Sequence, residues 1–327
     1  MDKERFKLSV VVRAYNQEKE VVRALKSIVS QTFDSLVEII VGIDVSTDRT
    51  IEVVQEFCKT LPHNFTASII SHKERMGGGK NLMTCLCKCQ GEYVTILDGD
   101  DYWIDRNMCS KLCAILDEKQ EVGLAYGNFI IECPYIPEGR KEEKRADPGN
   151  NIFTQLLEGN FLGTNISIFR RSLLKFVDWD VFLAHKWSQD DYFIWLEFAN
   201  HAKFYHIPDF VAVYTVVRNI VDDNILYESD LYDVTTTEVK EYYLNKYPNN
   251  TSLSKSDILD SHYKMRFRTA VLLGDYSYAM DAFSNMSYQL KQNRYYKLLS
   301  HKLVWYIYIY YRKLKHGKRN PLQGYFD

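Results

Sequence analysis

The amino-acid sequence predicts an α/β fold, a Rossmann-like, doubly wound and mostly parallel sheet with a C-terminal helical extension. Two observations predict it. Short apolar runs alternate with helical patterns through the first half of the chain, which is typical of a sheet built from strand-helix-strand units. From about Asp223 onward the pattern is mainly helical. We therefore expect two domains, residues 1–222 and residues 223–327.

Four buried strands are predicted in the first hundred residues, each from a short apolar run. They cover residues 8–13, 37–43, 66–71 and 93–97. Helices are expected between them, because apolar residues recur there at three- and four-residue spacing. These helices cover residues 18–30, a segment around 51–57, and residues 80–88. Ser46, Thr47 and Asp48 are N-cap candidates for the second helix.

The next part of the chain is less regular. A stretch rich in Pro, Gly and charge at residues 134–151 indicates a loop. The other elements predicted here are a helix at 107–116, an extended segment at 123–131, a short regular segment at 152–157, a strand at 165–169, a helix at 190–202 and a strand at 211–217. Further on, Gly274 is expected to separate two helices.

Composition narrows the function classes. The net charge of −2 over 327 residues gives no reason to expect a nucleic-acid partner. Seven cysteines, an odd number without the spacing of a disulfide framework, indicate a reducing compartment. The N-terminal residues contain no apolar run suited to a secretory signal, so we expect a cytoplasmic protein. No apolar run reaches the roughly 18 residues that a membrane-spanning helix needs.

The most informative stretch is Leu97-Asp98-Gly99-Asp100-Asp101, which places three carboxylates within four residues directly after a predicted strand. Such crowding is costly unless a cation is bound, and carboxylate oxygens suit Mg²⁺ or Mn²⁺. A solvated acidic turn or a helix cap is the alternative. Asn16 and Asp44 also follow strands, and ligands of open α/β sheets bind at the carboxyl ends of the strands. We therefore expect these groups to share one crevice.

Four ordered blocks resemble the family 2 glycosyltransferases, and the resemblance runs from about residue 8 to residue 217. It implies the GT-A fold and the transfer of a sugar from a nucleotide donor, with inversion at the anomeric carbon. The first block, residues 9–16, ends in Ala14-Tyr15-Asn16, where the family cradles the nucleotide base. Arg13 and Ala14 stand where Pro-Thr is commoner, so Arg13 is assigned no role.

The second and third blocks resemble the family's donor-binding segments. Residues 38–50 are similar to its D-D-x-S-x-D-x-T motif, which implies that Asp44 binds the base or ribose, with Ile43 in place of the first acid. Ser46 and Asp48 are better interpreted as helix caps. In Gly77-Gly78-Gly79-Lys80-Asn81, the resemblance implies that Lys80 contacts the diphosphate. Neither a Walker A loop nor a dinucleotide fingerprint fits this spacing.

The acidic triplet is the fourth block, matching L-D-x-D-D. The resemblance implies that Asp98 contacts the ribose or the metal, with Gly99 beside the donor, and that Asp100 is the direct ligand of Mn²⁺ or Mg²⁺. Asp101 is expected to support them.

A catalytic base is expected downstream, because an acceptor hydroxyl gains from proton removal as the new bond forms. Gln189-Asp190-Asp191-Tyr192 resembles the family's E-D-Y segment, which implies that Asp191 is the base and that Asp190 orients it or binds acceptor hydroxyls. The alternative is an acidic first turn that complements a helix dipole. The family's Tyr-Arg-x-His after the last strand lacks its His here, and Arg218 is a candidate for the diphosphate.

The predicted function is transfer of a sugar, with a UDP-sugar as donor, to a hydroxyl of a glycan or lipid-linked glycan acceptor. Two alternatives remain open, a nucleotidyltransferase that makes a sugar nucleotide and a non-catalytic assembly protein of the same fold. Residues 295–319 combine aromatic and cationic side chains, which suits peripheral contact with the inner face of the cell membrane. Packing of this segment on the catalytic domain is the other interpretation.

Overall fold

The computed structural model describes residues 5–134, 139–145, 147–149, 151–216 and 224–316. The chain divides into two compact units, Met1–Val217 and Arg218–Asp327. The predicted boundary at residues 222 and 223 and the diphosphate candidate Arg218 lie outside the described residues.

The strands of the first unit form one sheet. They are β1 (Leu8–Ala14), β2 (Val37–Ile43), β3 (Phe65–Ser71), β4 (Tyr93–Asp98), β5 (Tyr102–Trp103), β6 (Val122–Glu132), β7 (Arg140–Glu143), β8 (Ser167–Arg170) and β9 (Lys203–Thr215). Their order is β3-β2-β1-β4-β8-β6-β9-β5, with β7 paired to β6. The helices of this unit are α1 (Val21–Val29), α2 (Thr50–Cys58), α3 (Gly78–Leu86), α4 (Met108–Glu118), α5 (Ile152–Glu158), α6 (Trp179–His185) and α7 (Asp190–Phe198).

The parallel half of the sheet brings the predicted donor segments together. Strand β1 pairs in parallel with β2 and with β4, so that Ala14 lies opposite Ile43 and Arg13 lies opposite Asp98. The apolar side chains of these three strands are almost fully buried, which explains why the runs form central strands. The carboxyl ends of all three strands therefore open on the same edge. The predicted doubly wound, mostly parallel architecture is confirmed.

The second half of the sheet differs from the sequence-based expectation in three places. Strand β8 begins at Ser167 instead of residue 165, after a 3-10 turn at Thr164–Ile166. The predicted loop at 134–151 contains β7, which pairs with β6. Strand β9 begins at Lys203 instead of residue 211, although Pro208 lies inside it. The pairing of β6 with β9 is irregular there, since Tyr126 faces His206 but Asn128 faces Phe210. A bulge accommodates a proline within a strand, because the proline does not have to donate to the ladder.

The second unit is helical, as predicted. Its helices are α8 (Asn224–Lys246), α9 (Lys255–Leu273), α10 (Tyr276–Asn285), α11 (Tyr288–Lys291), α12 (Arg294–Leu299) and α13 (Lys302–His316). Gly274 ends α9 with a φ of 73°, which confirms the predicted helix break. Phe267, Trp305 and Ile309 belong to its buried core. Within the described residues, no helix has both the length and the apolar character needed to cross a membrane.

Candidate active site

A cleft of about 330 Å³ opens at the carboxyl ends of β1, β2 and β4. Five of the predicted site residues line it, namely Ala14, Tyr15, Asp44, Asp98 and Asp100. The rest of its lining consists of Arg13, Gln17, Arg75, Gly77, Gly78, Asn81 and Tyr214. The strand ends thus bring predicted site residues together in one cleft, although Ala14 and Asp100 are 86 positions apart in the sequence.

Arg13 joins the two acidic segments of the site. Its Nε and Nη2 atoms donate to the two carboxylate oxygens of Asp98 at 2.6 and 2.9 Å. Its Nη1 atom donates to Oδ2 of Asp190 at 2.6 Å. The arginine side chain is only 17% exposed. Burial disfavours its charge, but the Asp190 and Asp98 carboxylates outweigh that effect and raise the pKa of Arg13.

Asp190 and Asp191 form the first turn of α7. The backbone N–H of Asp191 donates to Oδ1 of Asp190 at 2.8 Å, and the N–H of Tyr192 donates to Oδ1 of Asp191 at 2.6 Å. Burial and the neighbouring Asp190 charge raise the pKa of Asp191 well above the usual range of an aspartate. A carboxylate in that state has the basicity that a general base needs near neutral pH.

Asp100 and Asp101 of the acidic triplet have different surroundings. Asp101 is buried, and its carboxylate accepts hydrogen bonds from Thr215 N at 2.8 Å and from Asn165 Nδ2 at 2.8 Å. Asp100 lines the cleft, and no side chain in the described ranges donates to its carboxylate. Burial and the charge of Asp98 raise the pKa of Asp100 to about 6. A cation beside Asp100 would relieve that cost.

Asp44, which follows β2, binds the backbone of the loop that leads into Gly77-Gly78-Gly79. Its carboxylate accepts from the backbone N–H groups of Met76 and Gly77, both at 2.9 Å, and of Val45 at 3.0 Å. Burial disfavours the charged form, but these donors outweigh it and lower the pKa of Asp44. Lys80, on the first turn of α3 that follows, is exposed and is not among the residues that line the cleft.

Asn16 and Gly99 hold the strand ends together. Asn16 has a φ of 52°, and its Oδ1 accepts from Thr47 N at 2.8 Å. The N–H of Gly99 donates to the carbonyl of Arg13 at 2.8 Å, and a Cβ on Gly99 would lie 3.0 Å from that oxygen. Neither residue lines the cleft as described. Their predicted contacts with the donor stay predictions.

The predicted N-caps of α2 are not observed, because Arg49 holds the N-cap position without a side-chain cap bond and Ser46 donates to the carbonyl of Asp44 instead. Asp48 lies one residue before the N-cap. Its carboxylate accepts hydrogen bonds from Thr50 in the first turn of α2 and from the backbone N–H of Glu18.

Asn81 connects α3 to the sheet beneath the cleft. Its Nδ2 donates to the carbonyl of Gly42 at 2.9 Å, and its Oδ1 lies 3.0 Å from His72 Nε2. Asn81 therefore fixes the first turn of α3 against β2, next to the glycines that line the cleft.

Sequence reasoning missed Arg13, Arg75 and Tyr214. The Arg75 guanidinium lies 5.0 Å from the centroid of the half-exposed Tyr15 ring, within the range of a cation–π contact. In the sequence, Arg75 is one of several charged residues in a polar connection, and nothing separates it from its neighbours. Arg13 did carry a signal, since it is the only charged residue of the mainly apolar strand β1.

In the described part of the chain, no group of three or more His, Cys, Asp or Glu side chains is arranged to hold a metal ion. Both carboxylate oxygens of Asp98 accept from Arg13, whereas the carboxylate of Asp100 accepts from no side chain within the described residues. An ion at Asp100 would complete its shell with water and substrate oxygens, as Mg²⁺ and Mn²⁺ sites commonly do.

Comparison with known proteins adds a family match. Residues 9–177 match the family described as Glycosyl transferase family 2. A curated relative in Campylobacter jejuni, the GalNAc(5)-diNAcBac-PP-undecaprenol beta-1,3-glucosyltransferase, is 33% identical over 176 residues, covering 52% of this chain and 53% of the relative. Poly(ribitol-phosphate) beta-N-acetylglucosaminyltransferase TarS of Staphylococcus aureus is 27% identical over 235 residues, covering 70% and 39% respectively. The chain spans about half the length of the first curated relatives it matches, and 39% of TarS.

Solved structures show the same fold. The crystal structure of S. aureus TarS 1-349 in complex with UDP-GlcNAc aligns with a TM-score of 0.62 at 18% identity, over 96% of this chain and 93% of that one. The mannosyltransferase PcManGT from Pyrobaculum calidifontis, in complex with GDP-Man and Mn²⁺, aligns with a TM-score of 0.54 at 18% identity, over 95% and 87%. The predicted GT-A fold is confirmed.

Proposed function

Because this chain belongs to glycosyl transferase family 2, we propose that it transfers a sugar from a nucleoside diphosphate donor to a hydroxyl group of a glycan or lipid-linked glycan. One observation carries the proposal. Arg13 contacts both Asp98 of the acidic triplet and Asp190 of the acid pair that begins α7. The segment predicted to bind the donor and the segment predicted to hold the base therefore meet at one side chain.

The cleft at the strand ends is the proposed donor site. It has an aromatic side chain, Tyr15, with the Arg75 guanidinium over its ring, and both groups can stack on a nucleobase. We propose a UDP-sugar as donor, by analogy with the UDP-GlcNAc bound to TarS. Ala14 and Asp44 also line this cleft. Donor contacts of Asn16, Lys80 and Gly99 are proposed on the family resemblance alone.

Asp100 is the proposed ligand of Mn²⁺ or Mg²⁺. Its carboxylate faces the cleft, and burial beside Asp98 makes its charge costly without a cation. Asp98 was predicted to share the metal, and this stays a prediction; each of its carboxylate oxygens accepts one hydrogen bond from Arg13 and keeps a second lone pair. When bound, the metal supplies positive charge that stabilises the departing diphosphate. The Mn²⁺ in the PcManGT complex supports this chemistry for the fold.

Asp191 is the proposed catalytic base. The acceptor oxygen attacks the anomeric carbon, Asp191 takes the acceptor proton, and the bond to the diphosphate breaks, so that the nucleoside diphosphate leaves with the electron pair. This single displacement inverts the anomeric configuration. Asp190, held by Arg13, fixes the backbone of Asp191 through its own carboxylate.

The printed names of two relatives suggest the acceptor class. The Campylobacter relative is named for an undecaprenol-linked glycan and TarS for poly(ribitol-phosphate). We propose an acceptor of that kind, a lipid-linked oligosaccharide or a surface polymer under assembly. A lipid-linked acceptor would place the catalytic domain, residues 1–222, at the inner face of the cell membrane.

Release of nucleoside diphosphate from a panel of UDP-, GDP- and dTDP-sugars, with and without Mn²⁺, tests the function directly. One donor of the panel should raise the melting temperature, because binding stabilises the folded state. The same donor should release its nucleoside diphosphate slowly without an acceptor, by hydrolysis, and rapidly with one, by sugar transfer.

Asp191→Asn should abolish transfer while keeping donor binding, and the exposed Asp34→Asn serves as the matched control. A chain that binds the donor but shows no turnover with any acceptor or with water would favour the non-catalytic alternative. Release of pyrophosphate from a nucleoside triphosphate would indicate the nucleotidyltransferase instead.

A further inference from the structure

Helix α13 has two faces of opposite exposure. Trp305 and Ile309 are buried in the core of the helical unit, and Arg312 donates to the carbonyl of Val271 at 2.8 Å on the same side. The outward side carries six large apolar or aromatic residues that form what we term the α13 stripe: Leu303, Tyr306, Ile307, Tyr310, Tyr311 and Leu314. They recur at three- and four-residue spacing, so they follow one side of the helix.

The α13 stripe is strongly exposed. Leu303 is 74% exposed, Tyr310 66%, and Ile307 61%. The other face of α13 supplies Trp305 and Ile309 to the core, so the stripe lies outside that core, although the Tyr306 ring centroid is 6.3 Å from that of Tyr276. A contiguous exposed apolar surface of this kind marks an interaction site.

The segment of sequence that carries the stripe is cationic. Lys302 and Lys315 are exposed at the two ends of the stripe. Residues 282–326 contain nine lysines and arginines and no aspartate or glutamate, although the whole chain has a net charge of −2. Positive charge is therefore concentrated in this segment. A second copy of the chain placed against this face would bring like charges together, which disfavours self-association.

We propose that the α13 stripe docks on an anionic lipid membrane. Aromatic and aliphatic side chains would enter the interfacial region while the flanking lysines meet lipid phosphates, as amphipathic helices do at membrane surfaces. The surface needs no membrane-spanning helix. It is independent of the proposed glycosyl transfer, because it uses none of the residues assigned to the cleft.

Flotation of the full chain with lipid vesicles tests the proposal. The protein should float with vesicles of phosphatidylcholine and phosphatidylglycerol, float less as salt is raised, and stay behind with phosphatidylcholine alone. Ile307→Glu combined with Tyr310→Glu should lower partitioning roughly tenfold or more, because the substitutions place charge in the apolar face. Lys302→Gln combined with Lys315→Gln should weaken binding to the anionic vesicles only.

The matched control is Met265→Glu combined with Leu272→Glu, at positions on α9 that are 52% and 60% exposed. It should float as the unchanged chain does. Melting curves establish that each variant is folded. Donor hydrolysis in solution reports on the cleft separately, because substitutions in the stripe should not affect it. Failure of the unchanged chain to float, or equal losses in the α9 control, would overturn the proposal. So would a wild-type oligomer that the stripe variant converts to monomers, since the face would then join two copies.

Discussion

Replacing Arg13 with methionine removes three charge-assisted hydrogen bonds and leaves two acidic side chains without their cation. Breaking a buried ion pair on one side costs 3–5 kcal/mol, most of it from the orphaned charge. Because Asp98 is 31% exposed and solvent screens part of its charge, we expect the lower end, about 3 kcal/mol. For a unit of this size the melting temperature should fall by roughly 6 to 12 °C.

Thermal and chemical unfolding of Arg13→Met measure this loss, with Arg49→Met as a control because Arg49 is exposed. A double-mutant cycle that combines Arg13→Met with Asp190→Asn isolates the ion pair between these two residues. The double variant should lose less free energy of unfolding than the sum of the two single variants. Arg13→Lys should recover part of the stability, since it keeps the charge but not the geometry of three donors. Arg13→Met with the same stability as Arg49→Met would refute the reasoning.

The sign of the pH dependence gives a second check on the same variant. Without Arg13, Asp190 loses the cation that favours its charged form, and its pKa rises further. A protonated carboxyl costs less to bury, so the destabilisation of Arg13→Met should shrink as the pH is lowered through that pKa. Asp191 should respond in the same direction, because Arg13 also lowers its pKa. The acid limb of the activity profile should therefore move to higher pH.

Three further predictions concern residues of the candidate site. Asp100→Asn should weaken Mn²⁺-dependent donor binding, measured by calorimetry, while Asp34→Asn should not; unchanged affinity would exclude Asp100 as the ligand. Gly99→Ala should lower the free energy of unfolding by about 1–3 kcal/mol, because the added Cβ crowds the Arg13 carbonyl and Gln17, and normal denaturation would contradict the close packing. In the unchanged enzyme, kcat should fall as the pH is lowered through the raised pKa of Asp191, since a protonated base accepts no proton. An acid limb at the usual aspartate pKa would argue for a different base.

The fold was largely predictable because its central strands are continuous apolar runs. The bounds of β2 agree with the prediction, and β1 and β4 each extend one residue further. The first residues of β9 escaped prediction, since Pro208 and the bulge around it interrupt the strand pattern. Propensity describes a single segment, whereas this strand is stabilised by its pairing with β6.

The site was predictable only in its outline. The order of the motifs predicted Asp98, Asp100 and Asp191 as site residues. It did not predict which side chains pair, because pairing depends on distances that the sequence does not contain. Arg13 contacts Asp98 because the parallel strands β1 and β4 place the two residues opposite each other. It contacts Asp190 because helix α7 begins next to Arg13. No spacing rule connects residues 13 and 190.

The contact between Asn81 and the carbonyl of Gly42 has a consequence for substrate recognition. Any side chain at position 42 would overlap Asn81 and Cys85 on the inner side of α3. Relief of that overlap would push the first turn of α3 outward, together with Gly77 and Gly78, which line the cleft. The width of the proposed donor cleft thus depends on a glycine that is not among the residues lining it. Variation at such a supporting position can change which nucleotide fits while every residue in the lining stays the same.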